Sequence, residues 1–316
     1  MKNVLKQFLF KTKLYHLNCI FNKFYVLPYH MVTAQPNGFY PETSIDLFER
    51  QIAHLAKNYK VMPLDEIVER VKKREHLRGC VAITFDDGFK DNYKNAYPIL
   101  KKYKVPATIF LTTGSIENKT APWFIKLRYL FMKTDKTHLR LSLDQPISSG
   151  QQVTFPLQTR QEKFAASEKV MTYIKNCPDT QRLQLLDRLC TELAVNDLKE
   201  LDDLMLSWDE IKEMSEQKIS FGAHTVSHPI LTRIPLTTVE EEILQSRQTI
   251  EGRIGKQVTG FAYPFGKEPQ YSPDMFAILD KLHFNYAVTT KLGSNNYHTE
   301  LFALDRWGPW ELSLIL

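Results

Sequence analysis

Cys80-Val81-Ala82-Ile83-Thr84-Phe85-Asp86-Asp87-Gly88 is the stretch on which the fold turns. Val81 to Phe85 is a run of apolar and β-branched residues. That is the pattern of a strand buried on both faces, as in a parallel sheet covered by helices. The run ends on two adjacent carboxylates. Side by side after a buried strand they repel each other and lose hydration, which is costly unless a cation or a bound proton relieves it. The plainer reading is that one aspartate caps the next helix while the other faces water.

Outward from this strand, short apolar runs alternate with stretches of helical period. Toward the N-terminus, Phe24 to His30 reads as a first strand ending in Tyr29-His30. Ile45, Phe48, Ile52 and Leu55 mark a helix over 45–58, and Leu64 to Lys73 is a second. Toward the C-terminus come a helix over Asn92 to Tyr103 and a strand over Ala107 to Leu111. The rhythm then breaks at about 118–203, which reads as an inserted lid or subdomain. It holds a helix over 123–133, two alternating segments (138–143 and 152–157) around the turn-rich Asp144 to Gly150, and two charged helices (159–175 and 180–194).

The α/β rhythm resumes at Ser207, whose capping-box spacing with Glu210 starts a helix. Thr237 and Glu240 repeat that spacing for a helix to about Ile254, and Ser272-Pro273 is an N-cap with proline at the first helical position. Strands are expected at Ile219 to Ala223, Phe261 to Tyr263, Tyr286 to Thr289 and Leu301 to Leu304. Six to eight strands with interleaved helices suit a parallel barrel or a doubly wound sheet. Both place function at the carboxyl ends of strands.

Two further clusters fall at such ends. In Phe221-Gly222-Ala223-His224-Thr225-Val226-Ser227-His228-Pro229, the histidines are four apart, a spacing that puts both imidazoles on one face of a helical turn. Alone, such a pair is more often coincidence than a site. With a carboxylate from another strand end, Asp, His and His make three protein ligands, the open arrangement of catalytic zinc. In Phe261-Ala262-Tyr263-Pro264-Phe265-Gly266, a strand ends in a tight turn whose free N–H groups can face a developing oxyanion. Most Pro-x-Gly turns are only turns.

Composition excludes several classes. No apolar run approaches the roughly 20 residues of a membrane-spanning helix. The net charge of +5 comes from residues 1–41, which hold five lysines and no acid; residues 42–316 carry 36 charges of each sign. A neutral body argues against nucleic acid. Residues 1–21 form a basic amphipathic segment, read as a surface helix or, more sharply, as a weak peripheral anchor on anionic lipid. Lysines interrupt every candidate signal-peptide core there. Cys19, Cys80, Cys177 and Cys190 form no C-x-x-C pair, so reduced thiols and a cytoplasmic location are expected.

Together the three clusters resemble the polysaccharide deacetylase family, also called the NodB-homology domain or carbohydrate esterase family 4. Thr84 to Gly88 is similar to its T-F-D-D-G motif without a mismatch, His224 to Pro229 to its H-[ST]-x-x-H motif, and Ala262 to Phe265 to its R-x-P-[FY] motif. Tyr29-His30, Pro106-Ala107-Thr108 and Phe261 to Gly266 look like a subgroup found with bacterial surface-glycan synthesis. The resemblance implies a distorted parallel (β/α) barrel over 22–316 carrying the insertion, and hydrolysis of N-acetyl groups on a glycan or its precursor with a divalent metal, zinc first. It implies Asp86 as general base, Asp87, His224 and His228 as metal ligands, and the Phe265 N–H as oxyanion donor, with Tyr263 and Pro264 beside it.

Two departures matter. The arginine that begins the third motif is replaced by Ala262, and Arg306 is the expected substitute partner for the base. The family's Leu-x-His, which donates the leaving-group proton, has no counterpart after His298, and His30 is expected to serve instead. Trp123, Trp307 and Trp310 are candidates for sugar stacking, although core packing is the plainer role for each. Rival readings keep the fold but hydrolyse another amide or an ester, or bind carbohydrate without catalysis.

Overall fold

The computed structural model describes residues 22–142 and 152–309. In chain order the strands are β1 (Phe24–Tyr29), β2 (Met31–Thr33), β3 (Glu42–Ser44), β4 (Lys60–Val61), β5 (Cys80–Phe85), β6 (Ala107–Leu111), β7 (His138–Ser142), β8 (Gln152–Pro156), β9 (Ile219–Ala223), β10 (Gly260–Ala262), β11 (Tyr286–Leu292) and β12 (Leu304–Arg306). The helices are α1 (Ile45–Asn58), α2 (Leu64–Lys72), α3 (Tyr97–Tyr103), α4 (Thr113–Asn118), α5 (Trp123–Lys133), α6 (Arg160–Ile174), α7 (Asp179–Glu192), α8 (Trp208–Ser215), α9 (Leu236–Ile254) and α10 (Pro273–Lys281).

Eight strands form one parallel sheet in the order β1-β5-β6-β9-β10-β11-β12, with the two-residue β4 added to the start of β5. Just past β12 the Trp307 N–H donates to the Val26 carbonyl of β1 at 2.7 Å, so the sheet curls into a nearly closed barrel. Side chains alternate along each strand. Phe24 and Val26 join Ala82, Phe110, Ala262, Val288 and Leu304 in an interior cluster, against which α2 packs Leu64, Ile67 and Val68. Tyr25, Leu27, Ile83 and Phe85 face the other way, toward the helices. A Cβ at Gly222 would lie 2.4 Å from a Phe110 ring carbon, so glycine there lets that ring fill the interior.

Register delivers the site. Tyr29 pairs with Phe85, which sets His30 beside Asp86, and Leu111 pairs with Ala223, which sets His224 at the same end. The insertion is a β7–β8 antiparallel hairpin with α5, α6 and α7. Its apolar residues, including Leu127, Leu130 and Leu189, run into the same core as the barrel's outer face.

Several local expectations need correction. The capping box at Ser207 and Glu210 is present, but the one expected at Thr237 and Glu240 is not. Pro235 is the N-cap of α9, so the helix has begun before Thr237. Leu301–Ala303 is a 3₁₀ turn, and the last strand lies at Leu304–Arg306. Asn92–Ala96 is π-helical before α3 begins. Among the described residues no helix is long and apolar enough to cross a membrane. The N-terminal segment 1–21 with Cys19, the turn at 144–150 and Trp310 lie outside the described residues.

Candidate active site

The site is built at the carboxyl ends of β1, β5, β9, β11 and β12, with the turn after β10 closing it. The Asp86 N–H continues the ladder by donating to the Tyr29 carbonyl at 3.0 Å. The next residue, Asp87, turns the chain sharply with φ 73°, so the two side chains diverge. Both are buried.

Asp86 is gripped by Arg306. The guanidinium donates from Nη1 to Oδ1 at 2.8 Å and from Nη2 to Oδ2 at 2.7 Å, the bidentate geometry that suits a carboxylate. Its Nε donates to the Thr289 carbonyl, so the fork is itself held. Burial alone would raise the Asp86 carboxyl, but the Arg306 charge overrides it and holds the group well below the usual carboxylate range. His30 Nε2 lies 3.7 Å from Asp86 Oδ2 on the more open side. Ala262, at the arginine position of the third motif, is buried in the barrel interior, so the charge reaches Asp86 from the opposite end of the motif order.

Asp87 faces the two histidines. Its Oδ1 lies 3.5 Å from His224 Nε2 and 3.4 Å from His228 Nε2, and neither carboxylate oxygen has a hydrogen bond. The three ligand atoms lie within 4.8 Å of one another. His224 Nδ1 donates to the Ala262 carbonyl at 2.7 Å, which leaves Nε2 as the nitrogen turned toward Asp87. Burial works against its charged form, but Asp87 and Asp86 raise it above the usual imidazole range. Burial pushes His228 down to about 3, which keeps its imidazole neutral. Two orphaned carboxylate oxygens facing two imidazole nitrogens in a buried pocket are the donor set of a small divalent cation, so these residues fit a metal.

The histidines do not lie on a helical turn, as their spacing suggested. Thr225 and His228 both have positive φ, at 67° and 54°, and the loop folds back on itself. Glu242 of α9 pins it, accepting from the N–H groups of Val226 (2.7 Å) and Ser227 (3.0 Å) and from the Ser227 hydroxyl (2.7 Å). The spacing motif gave no signal for Glu242; only the fold brings it there.

Phe265 sits at φ 63°, and the tight turn is closed by the Gly266 N–H donating to the Pro264 carbonyl at 2.8 Å. Among the described residues no acceptor takes the Phe265 N–H, and its ring packs 4.8 Å from that of His228. Tyr263 is a correction. It is fully buried, and its hydroxyl donates to the Phe302 carbonyl at 2.9 Å, so it packs the outer core rather than meeting substrate. Trp123 is buried, as the plainer reading had it, yet it does touch the site. Its Nε1–H donates to the His228 carbonyl at 2.8 Å, and Phe124 packs 4.7 Å from the His228 ring. Trp307 packs on Tyr25, with ring centroids 5.4 Å apart.

The profile of the polysaccharide deacetylase family matches residues 73–287, more than half of the chain. The chain therefore belongs to the polysaccharide deacetylase family, hydrolases of N-acetyl amide bonds on polysaccharides. It is 23% identical over 283 residues to YxkH of Bacillus subtilis, named after the same family, covering 89% of this chain and 69% of that protein. A shorter stretch of 70 residues is 46% identical to the poly-β-1,6-N-acetyl-D-glucosamine N-deacetylase of Staphylococcus aureus, covering 22% of this chain and 24% of that enzyme. Among solved structures, the Streptococcus pyogenes deacetylase PplD superposes with TM-score 0.61 at 20% identity, covering 92% of this chain and 96% of that one. IcaB from Ammonifex degensii superposes with TM-score 0.57 at 18% identity, covering 94% and 98%. These likenesses establish the barrel as the fold of this family.

Proposed function

We propose that this chain is a metal-dependent N-deacetylase of an N-acetylated glycan or glycan precursor. The observation that carries the reading is the divergence of Asp86 and Asp87, one clamped by Arg306 and the other facing two imidazoles with its own oxygens unpaired. Asp87, His224 and His228 would hold a divalent ion, most simply Zn²⁺. When bound, such an ion polarises an amide carbonyl and lowers the pKa of water to about 7.

The chain's own groups divide the remaining work. Asp86, kept ionised and oriented by Arg306, accepts the proton of the attacking water. The Phe265 N–H donates to the oxygen that gains charge as the acetyl carbon becomes tetrahedral. His30 gives a proton to the departing nitrogen, which as a free amide anion leaves too slowly. Pro264 fixes the turn that aims the Phe265 N–H. Arg306 touches Asp86 rather than the substrate, so it is a positioning residue.

The name of the Staphylococcus aureus relative makes β-1,6-linked N-acetylglucosamine oligomers the first substrate to test. Acetate should be released from them, stop when a chelator is added, and return with added zinc. Acetate release that survives complete metal removal would overturn the metal assignment. We also place the chain in the cytoplasm, on the free thiols of Cys80, Cys177 and Cys190.

A further inference from the structure

Lys175 follows the last residue of α6, so it belongs to the insertion rather than to the barrel. Its ammonium sits 4.1 Å above the centroid of the Phe265 ring, and that ring in turn packs on His228. The lysine is thus one aromatic ring away from a metal ligand. It has no ion pair there. Glu168 acts on it with opposite charge but is itself ion-paired with Arg128 at 2.6 Å. Among the described residues no carboxylate pairs with Lys175 or Lys267. Lys267, two residues beyond Phe265, lies close enough to repel Lys175, as does Arg128. Burial and these like charges push the Lys175 ammonium down to about 8. The aromatic face offsets only part of that cost. A half-buried ammonium without a counter-ion, flanked by like charge on the wall of a site, is an arrangement that an anion would complete.

We propose that Lys175, with Lys267 beside it, forms an anion subsite against the Phe265 turn, and that the glycan carries a carboxylate or a phosphate on the sugar next to the one deacetylated. The inference rests on the deacetylase reading and narrows its substrate to acidic glycans. The barrel supplies the chemistry on the acetyl group. The insertion, through Lys175, reads the neighbouring residue. An N–H₃⁺ group directed at an oxyanion forms a charge-assisted hydrogen bond, stronger than a neutral one.

The test uses three oligosaccharides of equal length, each with N-acetylglucosamine at the cleaved position. One is neutral throughout, one has glucuronate as the neighbour, and one joins the neighbour through a phosphodiester. Both kcat/KM for acetate release and Kd by calorimetry are measured on the full chain. Wild type should favour one of the two acidic substrates over the neutral one by about tenfold to a hundredfold, mostly through KM. Whichever is favoured identifies the acid. Lys175→Gln should bring that ratio to within about twofold of unity, and Lys175→Arg should keep most of it. A smaller fall is expected for Lys267→Gln.

A wild-type ratio near one would overturn the subsite, as would a Lys175→Gln loss of equal size on neutral and acidic substrates. If no substrate releases acetate, the deacetylase reading fails, and the ratio of Kd values alone decides the subsite. If Lys175→Gln does not fold, judged by thermal melting, the wild-type ratio and Lys267→Gln decide it.

Discussion

The barrel and the insertion meet at His228 and do different jobs there. From the barrel side, Glu242 fixes the loop backbone and Asp87 faces the imidazole Nε2. From the insertion side, Trp123 holds the His228 carbonyl, Phe124 covers the ring, and Lys175 stands beyond Phe265. Strand ends place charges to within the tolerance of a hydrogen-bonded ladder. Three helices and a hairpin packed outside that ladder add a wall. Strand register decides which charged groups meet, whereas the inserted segments shape the wall beside them. Changes in the barrel should therefore move metal and turnover, and changes in the insertion should move substrate preference and stability.

The largest effect should come from removing a ligand. His228→Ala should weaken zinc binding by well over the roughly 100-fold that loss of an outer-shell partner can cost, read by metal titration. Next, His30→Ala should lower kcat by about 10²–10⁴-fold with metal content unchanged. A near-wild-type rate would assign the proton donor elsewhere. Glu242→Ala frees the loop but leaves the ligands in place. It should weaken zinc binding by about 10–100-fold, and Glu242→Gln less, since one acceptor oxygen remains. The smallest effect belongs to the insertion. Trp123→Phe keeps most of the packing but leaves the His228 carbonyl without its donor, at a cost of about 1 kcal/mol in denaturant unfolding, with zinc affinity unchanged. A Trp123→Phe variant that lost zinc as Glu242→Ala does would erase the division between the two regions.

What the sequence disclosed follows the same division. The strand Ala107–Leu111 and the helices Ile45–Asn58 and Trp123–Lys133 were legible because their apolar residues keep one period from end to end. That Asp86, Asp87, His224 and His228 share one end of the sheet was legible because each cluster follows on its strand; their roles rest on the proposed function. Arg306 was a guess from charge alone, and the structure places it on Asp86 across 220 positions of chain. Glu242 and Lys175 were not legible. A glutamate within a helix and a lysine at a helix end carry no local signature, and only tertiary placement separates them from ordinary surface charges. The histidine loop misled because a spacing of four also fits a helix, whereas left-handed residues at Thr225 and His228 bring the rings together another way. Tyr263 misled because motif adjacency says nothing about side-chain direction, and alternation past β10 turns it outward.

On the proposed function, two adjacent aspartates, alike in sequence, have separate duties. Zinc titration and acetate release on Asp86→Asn and Asp87→Asn test it most directly, with folding checked by thermal melting because Arg306 loses its carboxylate partner in the first. Asp86→Asn should bind about one zinc as wild type does and yet fail to turn over, since an amide cannot take a proton from water. Excess zinc should not rescue it. Asp87→Asn should bind zinc poorly and regain part of its activity when zinc is raised. Equal loss of zinc in both variants, or recovery of Asp86→Asn with added zinc, would contradict the account.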